Sequence, residues 1–69
     1  MADTVYKKIE VVGTSPESFA KAAAVAVKKA GESVHGMRWF EVSDLRGRID
    51  DGKIVEYQTT VRIGFHVDE

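Results

Sequence analysis

Residues 53–67 read KIVEYQTTVRIGFHV, and the alternation along them decides the fold. Val55, Tyr57, Thr59, Val61, Ile63, Phe65 and Val67 fall on one side of an extended chain. Glu56, Gln58, Thr60, Arg62, Gly64 and His66 fall on the other. A period of two kept up over this length is the pattern of a strand buried on one side only. Asp50, Asp51 and Gly52 stand just before it and are turn residues, which predicts a hairpin. Its other arm runs from Arg38 to Ile49, with Phe40 and Val42 on one face and Trp39, Glu41 and Ser43 on the other. The pattern slips at Leu45 and Arg46, beside Gly47, which predicts a bulge or a sharp bend.

Upstream of the hairpin, residues 4–12 carry Val5, Ile9 and Val11 on one alternating face and Tyr6, Lys8 and Glu10 on the other. This predicts a first strand, broken at Gly13. Thr14, Ser15, Pro16 and Glu17 then spell a helix start. Either Thr14 caps with Glu17 three residues on, or Ser15 caps with Pro16 in the first turn. Phe19, Ala22, Ala23, Ala26, Val27 and Ala30 recur at three- and four-residue spacing, and Gly31 is the expected stop. The alanines on this stripe let a helix and a sheet approach closely. The order is strand, helix, strand, strand, an α+β arrangement.

The lengths do not match. At about 3.3 Å per residue the last strand extends roughly 50 Å, against about 25 Å for a helix of about 17 residues. The hairpin must therefore curl around the helix and run past it. Its far face, carrying Trp39 among polar residues, has nothing in the chain to cover it and is left for neighbours or a ligand.

Composition points the same way. The chain has 69 residues, 43% hydrophobic and 30% charged, so residues 1–69 are expected to form one domain. A chain this short buries only about 60% of the surface it exposes when unfolded, and such folds usually need reinforcement. There is no cysteine, which excludes disulfides, thiolate zinc sites and cysteine catalysis. Reinforcement must then come from self-association, a ligand, or both. The net charge of −1, with both signs scattered, makes no electrostatic case for nucleic acid or an anionic membrane. No apolar run approaches the roughly 20 residues that cross a bilayer, and MADTVYKK lacks the order of a secretion signal, so a cytoplasmic location is expected.

Among single residues, Trp39 is the only tryptophan. It suits an interface anchor or a stacking platform for a planar ligand. Gln58 is a solvated strand glutamine or a partner for a ring edge that alternates carbonyl and N–H groups. With the turn centred near Asp51, Gln58 is expected opposite Asp44, roughly 16 Å along the strand from Trp39. One ring system hardly spans that gap, so a site shared by Trp39 and Gln58 has to be built across a subunit contact. Arg46 and Arg48 can take a phosphate or pair with Glu56 or Asp50. Asp44 can accept from ligand hydroxyls or pair with a neighbouring Arg or Lys. His35 and His66 match no metal motif, so no metal site is expected. Ser43 and Asp44 are expected to face opposite ways, so no catalytic triad can be assembled from them.

Taken together, VVGTSPESF (11–19), WFEV (39–42) followed by LRG (45–47), the pair Tyr57-Gln58 and the closing VRIGF (61–65) resemble the dodecins. These are small flavin-binding proteins that assemble as hollow dodecamers, and the likeness extends from about Tyr6 to Glu69. The resemblance implies one helix embraced by a three-stranded antiparallel sheet, and a homododecamer. It implies two stacked flavins at a twofold contact between subunits, each ring held between its partner and Trp39. Gln58 would bond the ring edge, Asp44 would contact the ribityl chain, and Arg46 would face the phosphate of FMN. Where phosphate-preferring members carry a second arginine, this chain has His66, a weaker and pH-dependent phosphate partner. Riboflavin or FMN is therefore the expected ligand. Some bacterial relatives also hold coenzyme A at a trimer contact, a point on which this sequence is silent.

The function expected from the resemblance is storage and buffering of flavin with protection from photochemistry, not enzyme catalysis. A ligand-free scaffold module anchored by Trp39 is the rival. A small flavin reductase ranks third, since no GxGxxG dinucleotide pattern is present.

Overall fold

Residues 3–67 are described by the computed structural model, so the outermost two residues at each end of the expected 1–69 domain lie outside it. The elements are β1 (Tyr6–Ser15), α1 (Phe19–Ala30), β2 (Met37–Asp50) and β3 (Lys53–His66). They form one antiparallel sheet in the order β1-β3-β2, with β3 central. The sheet curls around the helix, which lies against β1 and β3 and barely meets β2. The expected strand, helix, strand, strand order and the α+β class both hold.

The hairpin turns through two residues. Asp51 (φ 51°) and Gly52 (φ 73°) are both left-handed, between the paired Asp50 and Lys53. That is what a type I′ connection demands, and its twist matches the strands it joins. The register then shifts three times. Arg38 and Ser43 are extra residues on β2, and Val55 is extra on β3. The slip expected at Leu45–Gly47 therefore lies earlier, at Ser43. Phe40 and Val42 point inward at even positions while Leu45 does so at an odd one, and inserting Ser43 restores the alternation.

Two expectations at the start of the helix need correction. Gly13 does not break the first strand, which pairs with β3 as far as Ser15 opposite Tyr57. Glycine is needed there because a Cβ would collide with the Ala22 carbonyl oxygen and crowd Ala26. The helix begins at Phe19 and is capped by Ser18, whose Oγ accepts from the Lys21 N–H at 3.0 Å. Ser15 instead closes the turn before it, its Oγ accepting from the Glu17 N–H at 2.9 Å. With Pro16 outside the helix, α1 has 12 residues rather than about 17. Lys28 and Lys29 in its last turn oppose the negative end of the helix dipole, and Gly31 closes it as expected.

The core is small. Ala22, Ala23, Ala26 and Ala30 are buried beside Val61 and Ile63, with Ile9, Val11, Val27 and Met37 partly buried around them. Buried Thr59 donates its hydroxyl to the Phe19 carbonyl at 2.8 Å and ties sheet to helix. The inward residues of β2 are left half uncovered: Phe40, Val42 and Leu45 keep 52%, 50% and 52% of their surface exposed. The molecule extends 57 × 20 × 13 Å, since the hairpin runs on well past the helix. No helix among the described residues is long and apolar enough to cross a membrane.

Candidate functional site

The face of the sheet turned away from α1 is organised in rows across the three strands. Tyr6 stands opposite His66; Lys8 and Trp39 flank Gly64; Glu10 and Glu41 flank Arg62; Val12 and Asp44 flank Thr60; Thr14 and Arg46 flank Gln58. The bulge at Ser43 brings both Ser43 and Asp44 onto this face, where each lines a recess with Arg46, Gln58, Thr60 and Arg62. The expectation that Ser43 and Asp44 face opposite ways is therefore wrong, because the pleat is interrupted between Val42 and Asp44.

At the first end of the face, Gly64 is the only position on central β3 without a side chain. Trp39 fills that gap. A Cβ built on Gly64 would clash at nearly equal distances with Cζ2, Cε2 and Cη2 of Trp39. Three consecutive ring atoms equidistant from one point place that point above the ring, so the indole lies face-on over the strand backbone. Tyr6 meets the indole in a T-shaped contact, ring centroids 5.0 Å apart at 76°. Trp39 retains 40% of its surface exposed. One face of the indole is thus covered by the sheet, and the opposite face is open to a planar ring. His66 lies on the other side of Tyr6, centroids 6.0 Å apart, and its backbone N–H donates to the Gly36 carbonyl at 2.9 Å.

Next along the face is a belt of ion pairs. Lys8 reaches across the bare Gly64 row to Glu41, and Arg62 holds Glu10 at 3.0 Å. The Lys8 ammonium, through its hydrogen bond and its charge, holds Glu41 below the ordinary carboxylate range. Arg62 and the Trp39 side chain add to that shift, which slight desolvation opposes.

The recess beyond the belt collects Asp44, Arg46 and Gln58. Arg46 Nε donates to Asp44 Oδ2 at 2.8 Å, and Gln58 Nε2 donates to Glu56 Oε1 at 2.9 Å. Glu56 also faces Arg48 Nε at 3.7 Å. Gln58 lies opposite Arg46 and not Asp44 as expected. The turn centres between Asp51 and Gly52, and the extra Val55 on β3 advances the register by one more residue.

The five residues singled out from the sequence therefore separate into two groups. Trp39 and His66 belong to one end, and Asp44, Arg46 and Gln58 to the other. Gly64, opposite Trp39, and Gln58 are six positions apart on β3, roughly 20 Å of strand. Sequence reasoning missed the part played by Tyr6, Gly64 and the Lys8–Glu41 belt. A lone glycine inside a strongly alternating strand was the available signal, since it marks a close approach. Among the described residues no cluster of three or more His, Asp or Glu is placed to hold a metal ion.

The Dodecin family model matches residues 5–68. The chain belongs to the dodecin family. A dodecin from Thermus thermophilus is 40% identical over 65 residues, which are 94% of each chain. A calcium dodecin from Mycobacterium tuberculosis is 36% identical over 62 residues, 90% of this chain and 87% of that one. The solved dodecin of Streptomyces coelicolor superposes with a TM-score of 0.94 at 38% identity, covering 100% of this chain and 99% of that one. The β-α-β-β order and the helix-embracing sheet are thus those of a dodecin fold.

Proposed function

We propose that this dodecin binds flavin, riboflavin or FMN, at contacts between subunits of a homododecamer, and that it stores and buffers the ligand without catalysing a reaction on it. The observation that carries the reading is the indole of Trp39, lying flat on Gly64 with its outer face open. A large planar heterocycle is the chemistry such a face suits, and stacking on an aromatic side chain contributes about 1 to 3 kcal/mol per base-like ring. Gln58, with two donors and an acceptor, complements the edge of a flavin ring. Asp44 accepts from hydroxyls of the ribityl chain, and Arg46, freed from Asp44, is the cation for a phosphate. His66 stands at the Trp39 end, its ring centroid 6.0 Å from that of Tyr6.

The separation between Trp39 and Gln58 supports a site built from two copies. A single ring cannot bridge roughly 20 Å of strand, whereas two antiparallel copies facing each other bring the Trp39 end of one toward the Gln58 end of the other. Enclosure between indole and a second flavin leaves little room for a substrate, which is why binding is preferred to catalysis.

Native mass spectrometry of the protein as purified tests both parts together. Twelve chains carrying flavin masses are expected. Twelve chains that take up no riboflavin or FMN on titration would keep the assembly and remove the ligand. A ligand-free assembling module is the second reading, favoured by the half-exposed Phe40, Val42 and Leu45, which call for a covering surface whether or not a small molecule binds. Because one relative is named a calcium dodecin, the same titration is run with calcium; uptake of calcium alone would redirect the assignment.

A further inference from the structure

Aromatic stacking depends on orientation, and the open face of Trp39 has to be held toward the ligand before the ligand arrives. A tryptophan on an edge strand is free about two side-chain torsions unless neighbours restrict it. Here Gly64 and Tyr6 do so, beside the side-chain hydrogen bond between Trp39 and Glu41. Gly64, directly opposite on β3, removes the side chain that would otherwise stand between the strands, and the indole settles face-on against its backbone. Tyr6, one row further on β1, meets the indole in an edge contact with centroids 5.0 Å apart at 76°. The two contacts come from different strands, β3 beneath the ring and β1 beside it.

We propose that Tyr6 and Gly64 are positioning residues for ligand stacking: they lock the Trp39 indole with one face on the sheet and the other outward, so that a planar ligand meets a preformed platform. The inference rests on the flavin-binding reading, and it adds residues on β1 and β3 to a site whose stacking group stands on β2. The tyrosine acts through its ring. Its value is entropic as well, since a ring already ordered in the free protein loses no rotamer freedom on binding. Glu41 also meets the Trp39 side chain through a hydrogen bond and His66 lies beside Tyr6, so removal of the Tyr6 ring alone isolates the edge contact.

The single tryptophan makes the test direct. Near-ultraviolet circular dichroism and fluorescence anisotropy of Trp39 are measured on the flavin-free protein, followed by titration with riboflavin, for wild type, Tyr6→Ala, Tyr6→Phe and Gly64→Ala. Native mass spectrometry of Tyr6→Ala is run alongside, so that a change in subunit number is read separately from a change in affinity. The expected result is a weakened indole dichroism band and lower anisotropy in Tyr6→Ala, with riboflavin bound about fivefold more weakly, the range an aromatic pair supplies. Tyr6→Phe is expected to restore both signals, because it keeps the ring and removes only the hydroxyl. Gly64→Ala is expected to lose more than tenfold in affinity, since its methyl occupies the place of the indole. The proposal is overturned if Tyr6→Ala leaves the Trp39 signals and the affinity unchanged, or if Tyr6→Phe behaves like Tyr6→Ala. Should wild type bind no riboflavin, the functional reading fails, and the flavin-free spectra alone decide whether Tyr6 orders the indole.

Discussion

Trp39 concentrates most of what a single residue contributes to this protein. With its inner face on Gly64, truncation removes the platform without opening the core, so Trp39→Ala is expected to fold and to stop quenching riboflavin fluorescence. Binding and quenching equal to wild type would show that stacking lies elsewhere. Gln58 contributes through hydrogen bonds at the opposite end of the face, and Gln58→Ala is expected to weaken riboflavin binding by about 1 to 3 kcal/mol in an isothermal titration. Glu41 carries a pH effect whose sign follows from its partner. Because Lys8 lowers its folded-state pKa from the ordinary 4.5, the bridge stabilises the fold above that ordinary value, and the stabilisation is lost as pH falls through the folded value. Wild type is therefore expected to exceed Glu41→Gln in thermal midpoint at neutral pH, with the gap closing as pH falls through the lowered folded-state value. A gap independent of pH would assign the difference to shape and not charge. Trp39 and Gln58 were legible as candidates from their types and strand parity, Asp44 and Arg46 from type alone, and His66 only through the resemblance to the dodecins. The role of Tyr6 was not, since it depends on three strands lying side by side.

At the scale of elements, β3 is central and β1 and β2 are the edges. Parity alone made its two faces readable. The register of its partner was not readable, because a bulge costs one residue and leaves almost no mark in composition. Ser43 and Val55 each displace the ladder by one: Val55, with the turn centre, decides that Gln58 faces Arg46, and Ser43 decides that Asp44 shares their face. The start of α1 was misplaced for a related reason. Thr14 and Ser15 were the expected caps, and the continuation of β1 through Gly13 to Ser15 leaves the capping to Ser18. Gly13 is where helix and sheet come closest, and Gly13→Ala forces a methyl into the Ala22 carbonyl. A loss of roughly 1 to 3 kcal/mol is expected from such overpacking, read as a lower urea midpoint at unchanged slope. An unchanged midpoint would mean that α1 can shift away without loss.

For the whole molecule, the helix is too short and the hairpin too long for one chain to cover its own sheet. Val42, on the inward face of β2 yet half exposed, illustrates this. If that face is covered by further copies, Val42→Glu places charge in an apolar contact, and sedimentation velocity is expected to show small species in place of a large assembly. A variant sedimenting like wild type would locate the subunit contacts elsewhere. The sequence by itself determined the element order, the α+β class, the face on which Trp39 and Gln58 stand, and the need for a partner or ligand. Those properties follow from local periodicity and from counting residues. Only the tertiary structure decided that Trp39 lies flat on Gly64 against Tyr6, that the bulge at Ser43 turns Asp44 outward, and that β2 is left uncovered. Each of these is a relation between strands, fixed by register and by the space a missing side chain leaves, and neither quantity is carried by any one segment of the chain.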